Sequence, residues 1–197
     1  MTTNPKTIAT NLAISALSSK PLASDLAEKF AKAGFTLALV GGPVRDAILG
    51  RLGNDLDFTT NAKPDETKAI IKKGADSIWE TGREFGTIAA QYGDVTVEIT
   101  TYRSEKYESD SRNPEVKFGE TIEGDLLRRD FTVNAMALEL TTTPPTFIDN
   151  FDGINDLARK VLRTPGTPEN SFSDDPLRMM RAARFAAQLG FEVDPAI

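Results

Sequence analysis

Residues 35–60 read FTLALVGGPVRDAILGRLGNDLDFTT, and the fold is decided there. Residues 35–40 form an apolar run of strand length that ends in Gly41-Gly42. Residues 43–49 read as a short helix, with Pro43 in its first turn and Gly50 just past its end. A second strand is expected over 55–60, DLDFTT. Successive strand residues alternate faces, so Asp55 and Asp57 share one face while Leu56 and Phe58 turn to the core. Two close carboxylates repel each other and stay ionised together most readily around a cation. Magnesium suits such a pair, because it takes oxygen ligands and keeps water or phosphate in its other positions. Taken alone, Asp-x-Asp is short and reads more readily as the polar face of an edge strand. The Gly41-Gly42 turn is a place to hold a triphosphate, with Arg45 one turn on as a phosphate contact. A plain strand-to-helix turn with a solvated Arg45 is an equal reading. The spacing is not that of a dinucleotide fingerprint.

Outward from this stretch, residues 21–33 carry Leu22, Leu26 and Phe30 at helical spacing before Gly34. Residues 1–19 show no clear period and are expected to be a loose lead-in. A helix is expected over 64–73, opened by Asp65 and Glu66, and strands over 77–81, 86–92 and 94–101. In the last, Val95, Val97 and Ile99 alternate with Thr96, Glu98 and Thr100. If this strand neighbours 55–60, Glu98 becomes a third carboxylate, binding metal or taking a proton from an attacking hydroxyl. Otherwise it is a solvated or ion-paired strand residue. The polar stretch 104–117, with Pro114, predicts a mobile loop. Residues 122–138 read as helical around RRDFTVNA, 147–150 as a short strand, 154–160 as a short helix and 174–189 as one long helix. The class is α+β, with a flexible lead-in over 1–20, a head domain over 21–150 and the start of a helical neck over 151–197.

Composition narrows the chemistry. The 197 residues are 40% hydrophobic and 26% charged, with a net charge of −6. There is no cysteine and no histidine. Disulfides, thiolate metal sites, zinc–histidine centres and histidine bases are thereby excluded, and any metal must be held by oxygen. The acidic balance argues against a broad RNA-binding surface. No basic start followed by an apolar run opens the chain, and no stretch reaches membrane-span length, so a cytoplasmic protein without membrane contact is expected.

Four ordered segments resemble the signatures of class II tRNA nucleotidyltransferases and bacterial poly(A) polymerases. They are GGPVRD (41–46) with the following Asp-Leu-Asp, RRDFTVNAM (128–136), FDGINDL (151–157) and DDPLRMMRAARF (174–185). The resemblance implies a polymerase-β-like nucleotidyltransferase head. It implies that Asp55 and Asp57 bind two magnesium ions, with manganese as an alternative, and that Gly41, Gly42 and Arg45 cradle the triphosphate. Arg129, Asp130 and Asn134 would contact the ribose and phosphates of the incoming nucleotide. Asp175 and Arg178 would read the bases of CTP and ATP, one face of a helix bringing them together. Arg181 and Arg184, continuing at three-residue spacing, join the nucleotide-binding set or form a solvated face. FDGINDL would mark the junction of head and neck. The fourth signature usually begins Glu-Asp, where this chain has Asp174. The implied activity is CCA addition to a tRNA 3′ end from CTP and ATP, with no DNA partner. Poly(A) tailing and a non-catalytic nucleotide-binding module are the alternatives. Because the family's neck, body and tail bind the tRNA, this chain is expected to bind nucleotide but to add CCA poorly or not at all.

Overall fold

The computed structural model describes residues 4–105, 116–119 and 121–197. In chain order the first elements are α1 (Pro5–Leu17), α2 (Pro21–Lys32), β1 (Leu37–Val40), α3 (Gly42–Ile48), β2 (Asp55–Thr60) and α4 (Pro64–Ile71). They are followed by β3 (Ser77–Trp79), β4 (Thr87–Tyr92), β5 (Val95–Thr101), β6 (Arg103–Glu105) and β7 (Val116–Phe118). The remainder are α5 (Ile122–Leu127), β8 (Met136–Glu139), β9 (Thr146–Asp149), α6 (Gly153–Arg159), β10 (Val161–Leu162), α7 (Pro168–Asp174), α8 (Leu177–Leu189) and β11 (Glu192–Val193).

Seven strands form a mixed sheet in the order β3-β4-β5-β2-β1-β8-β9. Only β2 and β5 run parallel within it; the other neighbours are antiparallel. The continuous apolar run of β1 follows from its central place, since all four residues are buried. Leu37 and Leu39 join the main core with Leu26 and Phe30 of α2, Leu56 and Phe58 of β2, and Val97 and Ile99 of β5. Ala38 and Val40 face the other way, against Ile122 and Leu126 of α5. This second face carries the polar side chains of β2 and β5. Each fully buried Leu or Phe contributes about 1.5–3 kcal/mol, so this alternation holds β2 in register.

Three expectations need correction. The lead-in is not loose: Asn4 caps α1 by accepting the Lys6 N–H at 3.0 Å, and Ala9, Ala13 and Leu17 are buried in the main core. Those three small or apolar positions are a weak periodic signal, easily lost among serines and threonines. Residues 122–138 are not one helix. After α5 the chain makes a short 3-10 turn over Thr132–Asn134 and then enters the sheet as β8, because Met136, Ala137 and Leu138 find a fully buried slot beside β1. Residues 174–189 are two helices. Pro176 disfavours helical geometry at the residue before it, and Asp175 is extended (φ −146°, ψ 97°), which ends α7 before α8 begins. Of the polar stretch 104–117, the backbone ends pair as β6 and β7, and residues 106–115 lie outside the described residues. Among the described residues no helix is long and apolar enough to cross a membrane.

The FDGINDL segment closes the sheet onto the following helices. Asp149 accepts the Gly153 and Ile154 N–H groups at 2.8 and 3.1 Å, which caps α6. Gly153 packs so tightly that a Cβ there would lie 2.3 Å from the Thr132 carbonyl oxygen. Gly153→Ala is therefore expected to cost about 1–3 kcal/mol by overpacking against backbone. Thermal or urea unfolding checks this; a variant as stable as the parent would contradict the packing.

Candidate active site

The parallel register sets Asp57 directly beside Glu98, on the face of the sheet that α5 covers only in part. Asp55 stands two residues earlier on the same face and is exposed. The edge-strand reading of the Asp pair therefore fails, since β2 lies between β5 and β1. Burial pushes the Asp57 carboxyl up to about 6; the charge on Glu98 adds to this, Arg129 opposes it, and Asp55 adds a little more.

A cleft of about 480 Å³ opens over these carboxylates. Its lining holds Asp57, Glu98, Thr100 and Arg103 from the sheet side and Gly42 and Arg45 from the glycine turn. Arg128, Arg129, Asp130 and Asn134 follow from the second signature, and Asp175, Arg178, Arg181 and Phe185 from the α7–α8 junction. The described lining has six arginines against four carboxylates, in a chain whose net charge is −6. The cation deficit of the chain as a whole is thus reversed locally, where an anionic ligand would sit.

Gly41 adopts φ 74° and ψ −134°, a conformation open to glycine. A Cβ there would lie 2.7 Å from Arg129 Nη1, so its absence lets the guanidinium cover the turn. The Gly41 N–H is already donated to the Met136 carbonyl at 3.1 Å, which makes its contribution one of backbone shape. Arg45 is buried and donates to Asn134 Oδ1 at 2.5 Å and to both oxygens of Asp46 at 3.0 and 2.9 Å. Asn134 Nδ2 donates to Asp130 Oδ1 at 3.0 Å, and Arg181 Nε donates to Asp130 Oδ2 at 2.7 Å. A single polar chain therefore runs from α3 through the 3-10 turn to α8.

Arg178 is buried, donating to the Ser171 carbonyl and hydroxyl at 3.2 and 3.0 Å and to the Arg128 carbonyl at 2.6 Å. Its Nε lies 4.0 Å from Asp175 Oδ2, while Asp175 Oδ1 accepts the Leu177 N–H at 3.0 Å. The two residues meet across a proline turn and not on one helical face. Arg184 sits over the Phe185 ring at 4.9 Å, as do Arg45 and Arg181 at 5.4 and 5.5 Å. Phe185 packs edge-on against Phe131 at 6.0 Å, which docks α8 to the head. Asp55, Gly41 and Arg184 lie outside the cleft lining; the other candidates are inside it.

Asp125, which lies in none of the four signature segments, is fully buried and binds Arg128 and Arg129. Burial works against its ionisation, but the two guanidiniums outweigh that and hold its carboxyl below the usual range. An acid three and four residues before two arginines was the available signal. Arg103 carried none, as it follows β5 with no motif around it.

The donor set suits a hard cation bridging to phosphate. Among the described residues no group of three or more acidic side chains converges closely enough to cage an ion. Asp55 and Asp57 would supply two oxygens and leave the other positions to phosphate and water, as magnesium prefers. Arg129 adds a matching feature: its Nε–H is buried without an acceptor among the described residues, and such a donor suits an anion.

Together, mixed sheet, acid pair, glycine turn and arginine wall define a nucleotidyltransferase head. Residues 37–163 match the poly(A) polymerase head domain, and the chain belongs to that family. It is 46% identical over 169 residues to a CCA-adding enzyme of Streptococcus suis (strain 05ZYH33), covering 85% of this chain and 40% of that protein. It is 43% identical over 165 residues to the CCA-adding enzyme of Bacillus subtilis (strain 168), covering 83% and 40%. The structure of the Bacillus stearothermophilus CCA-adding enzyme in complex with CTP superposes with a TM-score of 0.75 at 35% identity, over 88% of this chain and 40% of that one. A tRNA nucleotidyltransferase complexed with a primer tRNA and an incoming ATP analogue gives 0.70 at 32%, over 87% and 47%. The chain spans about 40% of the length of the CCA-adding enzymes it matches.

The raised Asp57 carboxyl makes a pH prediction. Without metal, Asp57 takes up its proton as pH falls through about 6, above its ordinary 3.8. The folded chain then binds more protons than the unfolded one between these values, so this group's contribution to stability declines as pH rises across that window. A divalent cation competes with the proton, and Mn²⁺ affinity should weaken as pH falls through 6. Carboxyl-carbon NMR should show the Asp57 midpoint falling in Glu98→Gln and rising in Arg129→Gln; a midpoint indifferent to both would refute the described electrostatics.

Proposed function

We propose that this chain is the catalytic head of a template-independent RNA nucleotidyltransferase that adds CCA to tRNA 3′ ends from CTP and ATP. The carrying observation is that one cleft is lined by the Asp57–Glu98 pair together with Arg45, Arg129 and the Asp130–Asn134 unit. Structures this chain resembles are complexes with CTP in one case and with a primer tRNA and an incoming ATP analogue in another, and its CCA-adding relatives favour CCA addition over poly(A) tailing.

In this reading Asp55 and Asp57 hold two divalent cations, magnesium or manganese. When bound, these ions lower the pKa of the RNA 3′-hydroxyl and neutralise charge on the departing pyrophosphate. The chain's own residues supply position. Arg129 lies over the glycine turn, and its Nε–H, without an acceptor among the described residues, is the candidate donor to phosphate. Asp130 and Asn134, fixed by Arg181 and Arg45, are the candidates to contact the ribose. Glu98, beside Asp57, is the candidate to accept the hydroxyl proton. Arg178 offers donors and Asp175 acceptors to a base edge. Positioning and charge neutralisation are the bulk of such catalysis. The protein is expected to work in the cytoplasm.

Calorimetric titration of CTP, ATP, GTP and UTP with magnesium tests this. CTP and ATP should bind, GTP and UTP at least about tenfold more weakly. Asp55→Ala/Asp57→Ala should abolish the metal dependence, and Arg178→Ala should erase base choice. Incubation with tRNA lacking its 3′ end separates the products: CCA and a stop supports the reading, a long A tail makes the protein a poly(A) polymerase, and equal binding of all four nucleotides removes the base-reading assignment.

A further inference from the structure

The Asp125 carboxylate is not part of the cleft lining, yet three of its partners, Arg103, Arg128 and Arg129, are. Oδ1 accepts from Arg128 Nε and Nη2 at 3.1 and 2.8 Å and from the Arg103 N–H at 3.4 Å. Oδ2 accepts from Arg129 Nη2 at 3.3 Å and from the Thr59 hydroxyl at 3.3 Å. One buried charge thus joins α5, the arginine pair that follows it, the start of β6, and β2 two residues beyond Asp57. The bonding is unequal. Arg128 is gripped by two nitrogens, whereas Arg129 is held at one corner, with Nη1 beside Gly41 and Nε–H unpaired among the described residues.

We infer that Asp125 is a positioning residue that holds Arg129 ready for the triphosphate and keeps it off the catalytic carboxylates. This deepens the nucleotidyltransferase reading and rests on it. The competition is physical. Asp57 and Glu98 line the same cleft as Arg129, and a free guanidinium on a long flexible side chain would pair with them. Such a pair would neutralise the carboxylates needed for cations and remove the cation needed for phosphate. A buried, dry carboxylate competes better than an exposed one, because removing its partner strands a charge away from water. Arg129 and Arg128 share the Asp125 charge, Arg129 being the larger Coulombic partner, and Arg129, held at one corner only, still lines the cleft. The contact with Thr59, whose hydroxyl proton is shared with the Thr100 carbonyl at 3.2 Å, ties the basic wall to β2 from behind.

The test compares affinities of CTP and CMP, with magnesium, for the whole chain and three variants. Asp125→Asn should weaken CTP about tenfold, a loss in the ordinary range for coupled neighbours. CMP, which lacks the β- and γ-phosphates that Arg129 is proposed to meet, should change by less than about twofold. Arg129→Gln should show the same split, and Asp125→Asn/Arg129→Gln should be no worse than either single variant. If Asp125→Asn is unstable, Asp125→Asn/Arg128→Gln read against Arg128→Gln alone carries the same comparison, since it removes the tightest buried pair together. Unchanged CTP affinity, equal weakening of CTP and CMP, or additive losses would overturn the inference and leave Asp125 a structural counter-ion. Parent protein with no affinity for CTP would instead overturn the functional reading itself.

Discussion

Everything at the site depends on the parallel pairing of β2 with β5. It is the single parallel contact in a sheet otherwise antiparallel, and it places Asp57 against Glu98. A slip of one residue would send Asp55 and Asp57 into the core and Leu56 and Phe58 to the cleft. The two apolar side chains, both buried beside Val97 and Ile99, are what forbid that slip. The repulsion stored between the carboxylates is thus held by packing on the opposite face of the same strands. Electrostatic tension at the site and hydrophobic burial in the core are two sides of one register.

The arginine wall answers that tension. Few of its members are loose surface cations. Arg45 and Arg178 are buried and bonded to fixed acceptors, Arg181 pairs with Asp130, and Arg129 is tethered by Asp125. Side chains already ordered lose little further freedom when a ligand arrives, which is the physical meaning of a preorganised site. The polar chain through Asn134 and Asp130, and the Phe131–Phe185 contact, also place α8 on the head. The residues proposed to read a base therefore share a framework with those proposed to hold phosphate.

Much of this was legible in the sequence, for reasons that differ by element. The β2 limits could be read to the residue, since DLDFTT combines period-two alternation with a turn before it. Helix α2 was legible through its apolar spacing and Gly34. Helix α1 was not, because alanines bury little area and give a faint period. The strand β8 was hidden because Met-Ala-Leu-Glu favours helix locally, and a vacancy beside β1 overrode that preference. Pro176 was read as part of a helix start, while its effect on Asp175 is to end the helix before. At the site, Glu98 depended on a strand order that sequence could pose only as a condition, and the register met it. Asp125 escaped notice because its role is expressed through arginines it touches and not through any exposed chemistry.

The most direct test of the central claim is anomalous diffraction from crystals of the protein grown with Mn²⁺ and a non-hydrolysable CTP analogue. Manganese peaks are expected at the Asp55 and Asp57 carboxylates, with the triphosphate beside them and Arg129 against a phosphate oxygen. Manganese bound elsewhere, or a triphosphate seated away from the glycine turn and the β2 carboxylates, would contradict the claim.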